Sequence, residues 1–197
     1  VREVLGSHLS GPFSDIKRLN HRGLLSLKIT TGNGVWKVAE CASAARARSA
    51  ALAMGLVHDA NGPVPSVTAV DGAVVISPWV EGAPLLKESE ARQRAVVLEC
   101  QRALYGVTVG QTSEPSDYLH LEWLLDKLRR LGPRVLGRRR VTRLESLMRQ
   151  SLPPADDPRI LHPDLTPANI VLAEEGPVII DNEAMGVGSG VEFDVWN

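Results

Sequence analysis

An α+β fold in two lobes is the class this sequence predicts: an antiparallel sheet with one crossing helix, followed by a mainly helical half. Three observations carry that expectation. Short apolar alternations broken by glycine turns fill residues 1–80, amphipathic periods dominate 88–151, and one polar motif, HPDLTPAN, stands inside an apolar frame at 160–172. The link SPWVEGAPL (77–85) separates the two patterns, so the expected lobes are 1–80 and 81–197.

Residues 1–10 (VREVLGSHLS) place apolar side chains at helical spacing and stop at Gly11-Pro12. DIKRLN and LLSLKITT read as strands joined by a turn at Gly23, and VWKVAE as the partner of a hairpin closed by Gly32-Asn33-Gly34. CASAARARSAALAMGLV (41–57) is alanine-rich, which favours helix. VPSVTAV and AVVISPWV are strands around Asp71-Gly72. Three amphipathic helices follow at 88–105, 116–131 and 138–151. The turn PPADDP leads to the polar motif, a strand PVIID (177–181) and a Gly-rich loop GVGSG (186–190).

With 197 residues, 44% of them hydrophobic and 23% charged, the chain can bury a sizeable core. Its net charge of −1 says nothing about partners, and no nucleic acid is expected as one. AVVI (73–76) is far too short to cross a bilayer, so no membrane partner is expected either. Cys41 and Cys100 are too few for a disulfide framework, and no secretory signal pattern opens the chain, so a reducing cytoplasm is the expected location. Nine of the 22 Lys and Arg residues lie within 127–149. That stretch reads as a solvated helical face or, more sharply, as a docking surface for an acidic partner such as a peptide leader.

The chemistry concentrates in HPDLTPAN. Asn169 follows Asp164 by five residues and His162 precedes it by two, the H-x-D-L-x-x-x-N spacing of a kinase catalytic loop. An acceptor hydroxyl needs a carboxylate to orient it and take its proton, which Asp164 can do. A magnesium ion on a nucleotide needs hard oxygen ligands, and the Asn169 carbonyl is one. His162 is expected to brace the loop. Asp181, ending VIID, offers a second carboxylate for the metal, and Lys37 in VWKV a cation for the nucleotide phosphates. Gly23 lets the LNHRG turn approach those phosphates.

HPDLTPAN, the Ile-Ile-Asp-x-Glu segment, Phe193-Asp194 and SPWVEGAPL together resemble the aminoglycoside phosphotransferase and choline-kinase-like family, which has the protein-kinase-like fold. The resemblance implies that ATP's adenine pairs with backbone groups around Ser77, Trp79 and Val80. Since Pro78 has no N–H, the donor would come from Trp79 or Val80. It further implies that Asp194 steadies the catalytic loop and that Glu183 supports the metal site. The implied function is magnesium-dependent transfer of the γ-phosphoryl group of ATP to a hydroxyl of a small molecule, such as an antibiotic or amino alcohol. Two alternatives are a Ser/Thr kinase acting on a precursor peptide and a nucleotide-binding pseudokinase. The chain departs from the family pattern in four places. Asp181-Asn182-Glu183 replaces Asp-Phe-Gly, Ser49 falls where a helical Glu is expected, and Thr166 replaces a small or basic residue. The helices that complete the acceptor site would follow Asp194, so the second lobe is expected to be incomplete.

Overall fold

The computed structural model describes residues 6, 9, 11–20, 23–110, 121–151 and 158–189. The helix expected over 1–10 lies, apart from Gly6 and Leu9, outside them. The first half is a five-stranded antiparallel sheet of β1 (Phe13–Arg18), β2 (Ser26–Thr31), β3 (Gly34–Glu40), β4 (Ala69–Asp71) and β5 (Val74–Pro78), in spatial order β1-β2-β3-β5-β4. Two-residue turns, Gly32-Asn33 and Gly72-Ala73, close its hairpins, with Gly72 at φ +55 where a side chain would be strained. Thr31 anchors the first of these turns: its Oγ1 accepts the Asn33 N–H and the Trp36 indole N–H.

Alternation along the strands assigns the two faces. Leu27, Ile29, Val38 and Ile76 point to one side, where they pack with Leu9, Phe13 and Trp36. Lys37 and Ala39 point to the other, opposite Ser77 and Val75 in the register of β3 with β5. Helix α1 (Ala44–Asp59) packs on that second side with Ala47, Ala50, Ala53, Met54 and Val57 buried. Ser43 caps it, accepting the Arg46 N–H at 3.2 Å.

From Pro78 the chain passes Gly82 into β6 (Ala83–Pro84), which pairs with β8 (Ile170–Ala173). A Cβ at Gly82 would stand 2.3 Å from the Leu172 carbonyl oxygen, so only glycine fits this crossing. Helix α2 (Glu90–Tyr105), capped by Ser89, buries Val96, Cys100 and Leu104. Helices α3 (Leu121–Leu136) and α4 (Arg138–Ser151) form a hairpin around Gly137. Gly132 lets them close, since a Cβ there would lie 2.8 Å from the Val141 side chain. The helix expected over 116–131 lies outside the described residues at 116–120; as α3 it continues to Leu136 through Pro133, because the face packed on α4 extends to the bend.

Two small sheets carry the remaining segments. β8 pairs with β9 (Gly176–Ile179), and β7 (Pro158–Leu161) pairs antiparallel with β10 (Gly186–Ser189). The last pairing corrects the Gly-rich loop expected at 186–190. Gly186, Val187 and Gly188 are buried in a strand, and the two glycines, which carry no side chain, let α1 pack across it. The main core runs through both halves, joining Met54, Val57 and Val75 to Leu85, Cys100, Leu104, Ile160, Ile170, Ile179 and Val187. Fully burying each such Ile or Leu contributes about 1.5–3 kcal/mol. Cys41 and Cys100 are free thiols within this core, and burial pushes them up to about 11 and about 12. Among the described residues no helix is long and apolar enough to cross a membrane.

Candidate active site

A cavity of about 560 Å³ opens between the sheet and the second half. Its walls bring together residues far apart in the chain: Lys37, Ser77, Trp79, Val80, Asp164, Asp181 and Glu183. Such convergence on one concave surface is the physical condition for a shared site.

Lys37 reaches from the middle of β3 and pairs with Asp181, and with Glu183 at 2.8 Å. Its side chain is 13% exposed. Burial by itself would lower the ammonium's pKa, but the charges of Glu183 and then Asp181 outweigh it and hold the pKa above its ordinary value. Lys37 is therefore fixed as a cation. The acid expected from the helix is not its partner: the face α1 turns to the cavity carries Ala50 and Met54, and Ser49 is not on the wall. Glu183, two residues beyond Asp181, takes that place. The Asp-x-Glu spacing was visible in the sequence, but nothing in it pointed toward Lys37.

Asp181 has left-handed backbone, φ 59 and ψ 44, which is uncommon for a residue with a side chain. Neighbouring bonds impose it. The Ile180 N–H donates to the Asn169 carbonyl at 2.8 Å, the Ile179 N–H to the Pro63 carbonyl at 2.7 Å, and the Asn182 amide to the Ile179 carbonyl at 3.0 Å. The result aims the Asp181 carboxylate into the cleft, where its side chain is 53% exposed. Strain of this kind, held by surrounding structure, concentrates at functional positions.

The HPDLTPAN loop is built around Asn169. Its Nδ2 donates to both the backbone carbonyl and the carboxylate Oδ2 of Asp164, each at 2.9 Å. The same amide thus folds the loop and orients the acid, while its Oδ1 accepts no hydrogen bond among the described residues. His162 is fully buried, and neither ring nitrogen has a hydrogen-bond partner among the described residues. Burial depresses its pKa, only partly offset by the Asp164 charge, so the ring is a neutral packing element. Asp194 lies outside the described residues.

The link after β5 presents an open backbone edge. The Trp79 N–H donates to the Val35 carbonyl at 2.9 Å, and the Ile76 carbonyl accepts the Thr68 N–H on the opposite side. Peptide groups alternate along a strand, so the Pro78 carbonyl and Val80 N–H face away from β3, beyond the end of β4. Of the two donors expected at this link, Trp79 is consumed by the sheet and Val80 is left. The Trp79 ring lines the cavity and is covered by Lys28, whose ammonium sits 4.3 Å from its centroid and 3.2 Å from Glu81.

The β1–β2 loop forms the roof through Leu19, Asn20, Leu24, Leu25 and Ser26. Gly23, at φ +80, belongs to this loop but is not on the wall itself. Two residues that sequence reasoning missed shape the loop. Asn20 accepts the Ser26 N–H and donates to the Leu24 carbonyl, and Glu40 accepts the Leu25 N–H at 2.9 Å.

The cleft thus sets one ammonium, Lys37, against four carboxylates, Glu40, Asp164, Asp181 and Glu183. A polyphosphate entering it would meet net negative charge, which a divalent cation would have to neutralise. Asp181, on the wall, is a hard oxygen ligand and suits magnesium; Asn169 is not on the wall and is joined to it through the hydrogen bond of its amide to Asp164. Among the described residues no group of three or more His, Cys, Asp or Glu is arranged to hold a metal ion. A cation here would therefore complete its shell with phosphate oxygens and water.

The profile of the phosphotransferase enzyme family matches residues 22–196. No curated protein sequence matches the chain. Among solved structures, it is similar to a thermostable mutant of aminoglycoside phosphotransferase APH(4)-Ia in its apo form, at 17% identity and TM-score 0.67, covering 96% of this chain and 73% of that one. Spectinomycin phosphotransferase APH(9)-Ia, solved with ADP and spectinomycin, is similar at 12% identity and TM-score 0.65, with coverage of 95% and 69%. A Ralstonia eutropha JMP134 protein, provisionally named an aminoglycoside phosphotransferase, is similar at 16% identity and TM-score 0.63, with coverage of 95% and 65%. The likeness is one of fold, the aminoglycoside-phosphotransferase form of the protein-kinase-like fold. The chain spans 65% of the length of the Ralstonia eutropha protein, a little under two thirds.

Proposed function

Because the chain belongs to the phosphotransferase enzyme family, we propose that it transfers the γ-phosphoryl group of ATP to a hydroxyl group of a small molecule. One observation carries this reading: Lys37, Asp164, Asp181 and the Val80 edge line a single cavity. Adenine sits against Trp79, with the Pro78 carbonyl and Val80 N–H as its hydrogen-bonding edge. Lys37 holds the α- and β-phosphates. Asp181 and the Asn169 carbonyl hold magnesium, which when bound supplies charge neutralisation between the β- and γ-phosphates. Asp164, oriented by the Asn169 amide, accepts the acceptor's hydroxyl proton as that oxygen attacks phosphorus and ADP leaves. The ADP, AMP-PNP and AMP bound by solved neighbours support the choice of nucleotide.

Asp164→Asn tests the reading. It removes the base and should lower phosphoryl transfer by roughly 10²–10⁴-fold while leaving nucleotide affinity nearly unchanged. Transfer at close to the wild-type rate would sink the assignment.

A finer reading concerns partner charge. Arg134, Arg138, Arg139, Arg140 and Arg143 cluster at the α3–α4 bend, exposed, with no ion pair to an acid among the described residues. This favours an anionic acceptor, or an acidic peptide, over a polycationic antibiotic. Acceptor affinity should then weaken as salt rises through the physiological range; affinity that does not move with ionic strength would exclude it.

A further inference from the structure

The loop that roofs the cleft, residues 19–25 between β1 and β2, brings Leu19, Asn20, Leu24 and Leu25 to the cavity wall. Leu25 anchors one end in the small core of the sheet. The rest is not fixed by packing, since Leu19 is 37% and Leu24 45% exposed. At Gly23, with φ +80, an added Cβ would meet no atom within 4 Å. A surface segment of this kind would sample many shapes unless polar bonds held it.

Two side chains supply those bonds. On the β1 side, the Leu19 N–H donates to the Ser26 carbonyl at 2.9 Å, and Asn20 closes the same end. Its Oδ1 accepts the Ser26 N–H at 3.3 Å and its Nδ2 donates to the Leu24 carbonyl. On the β3 side, Glu40 holds Leu25 twice. The Glu40 N–H donates to the Leu25 carbonyl at 2.8 Å, and the Leu25 N–H donates to the Glu40 carboxylate at 2.9 Å. A continued antiparallel ladder would send that second bond to the Glu40 carbonyl. Here a side chain closes the last rung instead. Glu40 lies three residues beyond Lys37 on the same strand, so β3 places both the ammonium and the roof.

We propose that Glu40 and Asn20 are positioning residues for the nucleotide: together they hold the β1–β2 loop over the cleft before a ligand arrives. The inference rests on the proposed nucleotide site. A loop that its ligand had to order would subtract that ordering from affinity, whereas a loop already formed does not. The clamp therefore acts on the binding of ATP and not on the chemical step at Asp164. What it needs from residue 40 is an acceptor oxygen at the right reach, which glutamine retains.

The test compares the wild-type chain with Glu40→Ala, Glu40→Gln and Asn20→Ala. Each is titrated with ATP and magnesium by calorimetry, and hydrogen exchange is followed at the Leu25 and Ser26 amides. Both alanine variants should weaken ATP by about tenfold. Each should also speed exchange by about tenfold at the amide that the other residue holds, Ser26 in Glu40→Ala and Leu25 in Asn20→Ala. Glu40→Gln should bind ATP within about threefold of wild type, because its amide oxygen still accepts the Leu25 N–H. Circular dichroism melting checks that the variants fold, and if Glu40→Ala does not, Asn20→Ala decides. Wild-type ATP affinity in the alanine variants overturns the proposal, as does Glu40→Gln binding as weakly as Glu40→Ala. A wild-type chain that binds no ATP removes the nucleotide site and the positioning role with it, while the exchange rates still show whether the two side chains hold the loop.

Discussion

At the scale of single residues, the ion pairs of Lys37 make the sharpest statement. A cation almost withdrawn from solvent is kept charged by two carboxylates, one of which, Glu183, is itself 22% exposed. Under the proposed function Asp181 turns to the metal when nucleotide binds, leaving Glu183 to orient the ammonium. Glu183→Gln should therefore raise KM for ATP by about tenfold, consistent with a partly buried charge pair, with a smaller change in kcat. Steady-state kinetics with ATP varied measures the split; an unchanged KM would remove Glu183 from this role. His162 makes a second prediction. Burial lowers its pKa in the folded chain, so the unfolded chain takes up a proton first as pH falls. Stability contributed by the neutral ring is complete above the ordinary value of 6.5 and declines as pH drops below it, by up to about 1.4 kcal/mol per pH unit. His162→Leu should flatten that limb of a melting-temperature profile between pH 7 and 5, and a variant with the wild-type slope would show that other groups set it. Asp164, Asn169 and Asp181 could be read from the chain because a loop motif keeps its spacing in the sequence. The partner of Lys37 could not, because it depends on the rotation of α1 about its own axis, which places Ala50 rather than Ser49 at the cavity.

At the scale of elements, β2, β3, β5, α1, α2 and α4 follow directly from alternation, alanine content and helical period, and their ends shift by only a few residues. Three features escaped because their cause is tertiary. Pro133 argues for a break in α3, yet the helix is carried past it by the contact of Gly132 with Val141 and by the ion pair of Arg129 with Glu145. β6 is two residues long, too short for any period, and exists because Gly82 brings its backbone against Leu172. β10 reads as loop in a glycine-rich tract but finds a partner in β7. The α3–α4 hairpin also divides its faces by charge. Arg129, Glu145 and Arg149 pair along one edge, while Leu131, Val135, Leu144 and Leu147 remain exposed, Val135 at 83%. The period of both helices puts these four apolar residues on the side opposite the ion pairs.

At the scale of the whole molecule, one core links the sheet to the second half through α1 and the small sheets, so the walls of the cleft share a common support. That continuity has a practical outcome for the two cysteines. A thiol reacts with iodoacetamide as its anion, and both of these are protonated and enclosed in the native chain, their pKa values pushed to about 11 and about 12. At pH 8, alkylation should proceed only when the chain opens, with both sites modified at one common rate under slow reagent conditions. Mass spectrometry of the labelled chain then becomes a clock for global opening, and bound nucleotide should slow it; separate rates at the two positions would reveal halves that open independently.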